Sequence, residues 1–256
     1  MYEALYRSKA VLFDLDGTLI RGEEAIPGAV SFVRRLAEMD KRIVYLTNNA
    51  TRTRETMALM LGRQGFPASP ETVLTSSVAA AAILQHQLGS SKKVYAIGEE
   101  GLTSPLLAAG FELVKNEEHA DAVVVGLHRQ VTYAHFEHAV RHVLRNAYFL
   151  ATNRDRVIPL ENGFAPGAGA LVALIAYATG VEPMLAGKPS AAFVDQALAI
   201  AGVERKEAIL IGDNLETDIL AAKNAGIHSV LVESGVPFAG NFVPEIKVHN
   251  LKELLQ

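Results

Sequence analysis

Two carboxylates two residues apart, Asp14 and Asp16, follow the apolar run Ala10-Val-Leu-Phe13 and precede Gly17-Thr18. A strand covered on both faces shows no polar alternation, so the run reads as a buried parallel strand. Positions i and i+2 of a strand share a face, and open α/β sheets keep their ligand crevice at the carboxyl ends of strands. One carboxylate can attack a bound group there while the other moves protons, and N–H groups of the turn can hold an anion. The plainer alternative, a strand ending in an ordinary turn, uses the same residue types.

Three further segments sit beside apolar runs. Arg42-Ile-Val-Tyr-Leu46 reads as a second buried strand and ends in Thr47-Asn48-Asn49. A hydroxyl and amides at a strand end can bind phosphate oxygens without adding charge, although a capping loop before a helix near Thr53 uses them equally well. Gly187-Lys188-Pro189-Ser190 places a lysine before a helix start, with Pro suited to the first turn. Ala208-Ile-Leu-Ile-Gly212-Asp213-Asn214-Leu-Glu-Thr217-Asp218 reads as strand, tight turn and helix, and helix capping by Thr217 or Asp218 is the competing role.

Charge links the four segments. Asp14, Asp16, Asp213 and Asp218 in one crevice carry four negative charges, and Lys188 returns one. A phosphate dianion would be repelled by several kcal/mol in a poorly solvated cleft. A divalent cation removes the conflict; hard oxygen donors, absent cysteine and a phosphate co-ligand favour Mg²⁺. The residue types thus predict a metal, and the metal predicts an oxyanion substrate.

In this order, Asp14-Leu-Asp16-Gly-Thr18, Thr47, Lys188 and Gly212-Asp213 through Asp218 resemble the four motifs of the haloacid dehalogenase superfamily of phosphohydrolases. Thr47-Asn48-Asn49, Gly98-Glu99-Glu100-Gly101, Ala151-Thr152-Asn153, Gly187-Lys188-Pro189 and the 212–220 segment are similar to its NagD-like branch, and the similarity spans nearly the whole chain. That branch includes sugar phosphatases, 4-nitrophenyl phosphatases and a vertebrate pyridoxal phosphatase. The resemblance implies Asp14 as the nucleophile forming an aspartyl-phosphate, and Asp16 as the acid that protonates the leaving alkoxide and later activates water. It implies Mg²⁺ held by Asp14, the main-chain carbonyl of Asp16, and Asp213. Lys188 would neutralise the nucleophile and the transferring oxygens. Thr47, Asn48, Asn49 and backbone amides near Leu15 and Asp16 would bind the phosphoryl group. Asp218, with Asn214 beside it, would orient metal waters or Lys188. Asp at position 16, where ion-pumping ATPases of the superfamily have Thr and the carbon–halogen-cleaving relatives also lack Asp, favours dephosphorylation.

The elements that position these residues alternate as in a doubly wound sheet. The expected fold is α/β: a Rossmann-like parallel-sheet core, residues 1–88 plus 184–256, with an inserted α/β cap over 89–183 that begins near the polar stretch Gly89–Lys93. Cap strands are expected at Val94–Ile97, Ala122–Gly126 and Tyr148–Ala151, and a buried helix over Gly167–Ala178. In relatives the loop corresponding to Asn153–Phe164 faces the leaving group, so Arg154 and Asp155 are candidate substrate readers, with a solvated surface turn as the alternative. Gly167-Ala-Gly169 lacks a third glycine at Val172 and reads as close helix packing, not a dinucleotide fingerprint. His135, His138 and His142 read as a polar helix face in preference to a metal site.

Composition bounds the rest. The chain has 256 residues, half of them hydrophobic, and a net charge of −4 with no basic block, which argues against a nucleic-acid partner. Without cysteine there is neither disulfide nor thiol catalysis. The start, Met1–Lys9, lacks the apolar core of a secretion signal, and no stretch is long enough to span a bilayer; a cytoplasmic location with no membrane partner is expected. The reading is a Mg²⁺-dependent phosphomonoesterase for a small phosphorylated metabolite, a sugar phosphate first, cleaving 4-nitrophenyl phosphate as well. The alternatives are a phosphatase for pyridoxal phosphate or a nucleotide, and a non-catalytic phosphometabolite sensor. A homo-oligomer formed through the cap stays open.

Overall fold

The structure, a computed structural model, describes residues 3–89, 92–115, 118–160, 163–233 and 244–255. It divides into two compact units, the first comprising Met1–Thr47, Arg54–Leu74 and Lys188–Gln256, the second Asn48–Thr53 and Thr75–Gly187.

The first unit is built on a six-stranded sheet in the order Ile246–Val248, His228–Val232, Ala208–Gly212, Ala10–Asp14, Arg42–Thr47, Val73–Thr75. Pairing from Ile246–Val248 through Arg42–Thr47 is parallel throughout. Leu12 of the strand Ala10–Asp14 lies between Val44 and Leu210 in register, and all five residues of that strand are buried. Val11 and Phe13, two apart and so on one face, pack with Ile209, Ile211 and Tyr45 into one core cluster. The helix Ala29–Glu38 covers this cluster because Ala29, Phe32, Val33 and Leu36 recur at helical spacing. Phe32 meets Phe13 edge to face with centroids 6.0 Å apart. Deleting the Phe13 ring should cost about 3–5 kcal/mol.

The second unit has a five-stranded parallel sheet in the order Met184–Leu185, Tyr148–Ala151, Ala122–Val125, Lys93–Ile97, Glu112–Leu113. Strand alternation sorts its core into two layers. Tyr95, Ile97, Val123, Val125 and Phe149 pack with residues of the helices Tyr133–Leu144 and Ala168–Thr179. Val94, Ala122, Val124 and Leu150 pack with the helices Ser76–Leu88 and Glu100–Ala108. Parallel sheets need both faces covered, and this one has them covered. The fold is therefore α/β, a parallel-sheet core with an added cap.

Several details differ from the sequence reading. The expected core extends to residue 88, yet Ala80, Ala81 and Leu84 of the helix Ser76–Leu88 pack with Leu102, Leu106 and Leu150 in the second unit; an alanine-rich helix gives no sequence clue to its partner. The helix Ala168–Thr179 is not buried all round: Val172 and Ile175 face inward, whereas Tyr177 is 94% exposed and Leu174 45%. Pro189 lies just before the N-cap Ser190 of the helix Ala191–Ala201, not in its first turn. The structure adds the short strands Glu112–Leu113 and Met184–Leu185 and the hairpin Val157–Leu160/Gly163–Pro166, which the sequence pattern does not mark. Ser90 and Ser91 of the expected linker, and Glu161 and Asn162 of the cap loop, lie outside the described residues. Among the described residues no helix is long and apolar enough to cross a membrane.

Candidate active site

Three adjacent parallel strands end in polar residues: Ala10–Asp14 in Asp14, Arg42–Thr47 in Thr47, and Ala208–Gly212 immediately before Asp213. The strand from Asp14 is central, with the next strand of the sheet, Arg42–Thr47, on one side and the late strand Ala208–Gly212 on the other, so the polar residues gather where the sheet order reverses. Asp14, Thr47 and Asp213 are all buried.

The turn after Asp14 is held tightly. The Leu15 carbonyl accepts the main-chain N–H groups of Thr18, Leu19 and Ile20, and Gly17 N–H donates to the Ile20 carbonyl. Gly17 has φ +94°, a left-handed conformation that L side chains rarely adopt. A Cβ there would lie 2.2 Å from Asp213 Oδ2, so glycine is what lets the two acidic segments approach. The turn leaves Asp16 exposed while Asp14 is inside, which gives the two carboxylates different surroundings.

Asp14 is gripped at both oxygens. Lys188 Nζ donates to Oδ1, and the Thr18 hydroxyl donates to Oδ2 at 3.1 Å. Lys188 also donates to Asp218 Oδ1 at 2.7 Å, and the Asn214 main-chain N–H donates to Asp218 Oδ2 at 3.0 Å. Asp218 sits on a π-helical turn, Leu215–Ile219, a distortion frequent at functional sites. A Cβ on Gly212 would lie within 2.5 Å of the Asp218 side chain.

Burial pushes the Asp14 carboxyl well above the usual carboxylate range; Lys188 opposes this, and Asp218 and Asp213 add to it. Burial also works against the Lys188 ammonium, but Asp14 and Asp218 outweigh it and hold the lysine above its ordinary range. Ligand oxygens of Asp14, Asp213 and Asp218 lie within 4.8 Å of one another. Three buried carboxylates gathered with one ammonium carry a net negative charge when all are ionised, a costly state in a dry site. Hard oxygen donors at this spacing fit a divalent cation. Among the described residues no other group of His, Asp or Glu gathers in this way.

The haloacid dehalogenase-like hydrolase family matches residues 11–112, and a HAD-hydrolase-like family matches 185–253. An acid sugar phosphatase of Staphylococcus aureus is 40% identical over 228 residues, 89% of this chain and 87% of the relative. The chain belongs to the haloacid dehalogenase-like hydrolases. A p-nitrophenyl phosphatase from Archaeoglobus fulgidus superposes with TM-score 0.91 at 32% identity, over 97% of this chain and 98% of that one. A glycerol phosphate phosphatase from Mycobacterium tuberculosis, in complex with magnesium, superposes with TM-score 0.89 at 35% identity, over 97% and 77%.

In this haloacid dehalogenase-like phosphatase the remaining candidates fall into different settings. The Asn214 side chain caps the π turn, accepting from Glu216 N–H at 2.8 Å and Thr217 N–H at 3.3 Å; the capping role weighed for Thr217 and Asp218 belongs to Asn214. Asn49 Oδ1 accepts from Thr51 N–H at 2.9 Å and from the Thr51 hydroxyl at 2.8 Å, a local turn of the kind asparagine favours. Arg154 donates to Glu182 at 2.7 Å, with both side chains exposed. Asp155 uses its main chain, donating N–H to Asn153 Oδ1 and accepting from Gly169 N–H. A Cβ on Gly169 would lie 2.3 Å from the Arg154 carbonyl, so these glycines serve close packing of the helix start. His142 is buried against Tyr95, with ring centroids 5.1 Å apart, so its helix face is not simply polar; His135 accepts from Thr132 N–H.

The sequence pattern gives Thr18 no separate role, although Asp-Gly-Thr brings its hydroxyl back to residue 14. The sequence gives Ser76 no role and Asn153 only a place in a motif and the cap loop; both donate to the Asn48 carbonyl, at 2.9 and 2.8 Å.

Proposed function

We propose that the chain hydrolyses small phosphate monoesters, sugar phosphates first, through a phosphorylated Asp14. The observation that carries this is the grip on Asp14: a buried carboxylate at the end of the central strand, bonded to Lys188 and Thr18 beside Asp213 and Asp218. These bonds fix the carboxylate's direction before substrate arrives, and positioning of this kind supplies much of the rate in phosphoryl transfer. Asp14 attacks phosphorus, the ester oxygen leaves with a proton from Asp16, and Asp16 then takes a proton from the water that cleaves the acyl phosphate. Its exposed position suits proton exchange with solvent. Lys188, kept protonated by Asp14 and Asp218, offsets charge on the transferring oxygens. Thr47, Asn48 and the amides at Leu15 and Asp16 bind those oxygens. Asp14, Asp213 and the Asp16 carbonyl would hold Mg²⁺, which when bound supplies compensating positive charge.

The sugar-phosphate preference is supported by the acid sugar phosphatase relative, and 4-nitrophenyl phosphate by the Archaeoglobus structure. The test is turnover of both esters with Mg²⁺ and with excess chelator, together with trapping of a beryllium fluoride adduct on Asp14. Undiminished turnover in chelator, or in Asp14→Asn, overturns the mechanism.

A further inference from the structure

The chain passes between the two units directly beside two of the residues that handle the phosphoryl group. Thr47 ends a segment of the first unit and Asn48 begins one of the second; Gly187 ends the second unit and Lys188 resumes the first. Within the second unit these junction residues are tied together. The Asn48 carbonyl accepts both the Ser76 hydroxyl, at 2.9 Å, and the Asn153 side-chain amide, at 2.8 Å. Gly187 N–H donates to the Thr152 carbonyl at 2.8 Å. A Cβ on Gly187 would lie 2.4 Å from Asn48 Oδ1, 2.6 Å from the Thr152 carbonyl and 2.9 Å from the Ser76 Cβ. Ser76 and Thr152 are fully buried and Asn153 nearly so. The other end of the Asn153 side chain accepts Asp155 N–H at 3.0 Å, which fixes the start of the cap loop.

We propose that Asn153 is a positioning residue for phosphoryl transfer, holding the main chain at Asn48 and, through Thr152, at Gly187, the covalent neighbours of Thr47 and Lys188. A side chain anchored in the cap thereby sets residues that act on the phosphate. This rests on the hydrolase reading above and adds a residue to it. A carbonyl with two buried donors is expensive to move, since loss of either leaves a buried polar atom short of a partner. Misplacement of a reacting group by about 1 Å can lower a rate about a hundredfold.

The experiment uses Asn153→Asp, which retains an oxygen for Asp155 N–H but removes the amide donor to Asn48, and Ser76→Ala, which removes the other donor. kcat and KM are measured for 4-nitrophenyl phosphate and a set of sugar phosphates, with the affinity for inorganic phosphate measured by calorimetry. Asn153→Asp should lower kcat about ten- to a hundredfold on every ester in equal proportion and weaken phosphate binding. Ser76→Ala should show the same pattern more weakly, and the double variant should lose less than the product of the two, because both act on one carbonyl. A change confined to preference among esters, with 4-nitrophenyl phosphate turnover and phosphate affinity intact, overturns the proposal. So does a fall in melting temperature alone. If Asn153→Asp does not fold, Ser76→Ala decides by the same criteria. A wild-type protein that binds phosphate without turning over any ester would remove the hydrolase reading, and the variants' phosphate affinities would still decide the positioning role.

Discussion

Lys188 and Arg154 are both cations paired with carboxylates, in opposite surroundings. Lys188 is 3% exposed and touches Asp14 and Asp218, themselves buried. Arg154 is 53% exposed and reaches Glu182, which is 76% exposed. Removing one partner of a buried pair strands a charge, at about 3–5 kcal/mol; an exposed pair contributes about 0–1 kcal/mol and is screened by salt. The first arrangement is one the fold cannot give up without a large cost in stability. The second can change with little consequence for stability.

The most severe way to probe the buried side is Asp14→Asn, which keeps the shape and removes the attacking charge. Turnover of 4-nitrophenyl phosphate should fall by about a thousandfold or more while the circular dichroism stays native; a modest loss would mean that Asp14 is not the nucleophile. Lys188→Met should come next. It should lower kcat about a hundredfold on every ester alike, and in chelator it should destabilise the protein by about 3–5 kcal/mol in urea titrations because the carboxylates lose their ammonium. Restoration of much of that stability by Mg²⁺ would sharpen the charge argument, and an unchanged urea midpoint would break it.

Gly17→Ala tests the approach of the two acidic segments. The added methyl meets Asp213 Oδ2 and the backbone is left-handed, so a cost of about 1–3 kcal/mol and a higher Mg²⁺ requirement should appear together. Normal Mg²⁺ dependence would mean that Asp213 moves aside without harm. The smallest effect is expected from Arg154→Ala: unfolding unchanged within about 0.5 kcal/mol, 4-nitrophenyl phosphate turnover unchanged, and kcat/KM among sugar phosphates shifted by less than about tenfold. Identical substrate profiles would move selectivity elsewhere in the cap. A uniform loss across esters would erase the contrast with Lys188.

What could be read from the sequence follows the same division. Apolar runs ending in polar residues mark Asp14, Thr47 and Asp213 as strand ends, because a strand buried on both faces has one pattern whatever its partners. Their assembly depends on strand order, which periodicity does not encode. The helix Ser76–Leu88 shows the limit: its alanines fit either unit, and Leu102, Leu106 and Leu150 decide the matter. The bonds of Ser76 and Asn153 to the Asn48 carbonyl join residues 28 and 105 apart in the chain, which no spacing rule reveals, whereas the bond of Thr18 to Asp14 spans only four residues. Asn49 and Asn214 took the local turn and capping roles that short polar side chains compete for.

The strand Ala10–Asp14 has one flank paired by Arg42–Thr47 and the other by Ala208–Gly212, and this has a consequence for synthesis on the ribosome. The first partner emerges early, while the second arrives only after the whole inserted cap has been made. In the interval a strand buried along its whole length in the finished fold presents an open edge, of the kind on which chains associate. Residues Lys188, Asp213 and Asp218 also belong to this late portion, so no shorter nascent fragment holds both the nucleophile and the groups that restrain its charge. Catalytic competence and protection from aggregation therefore arrive together, with the same late portion of the chain.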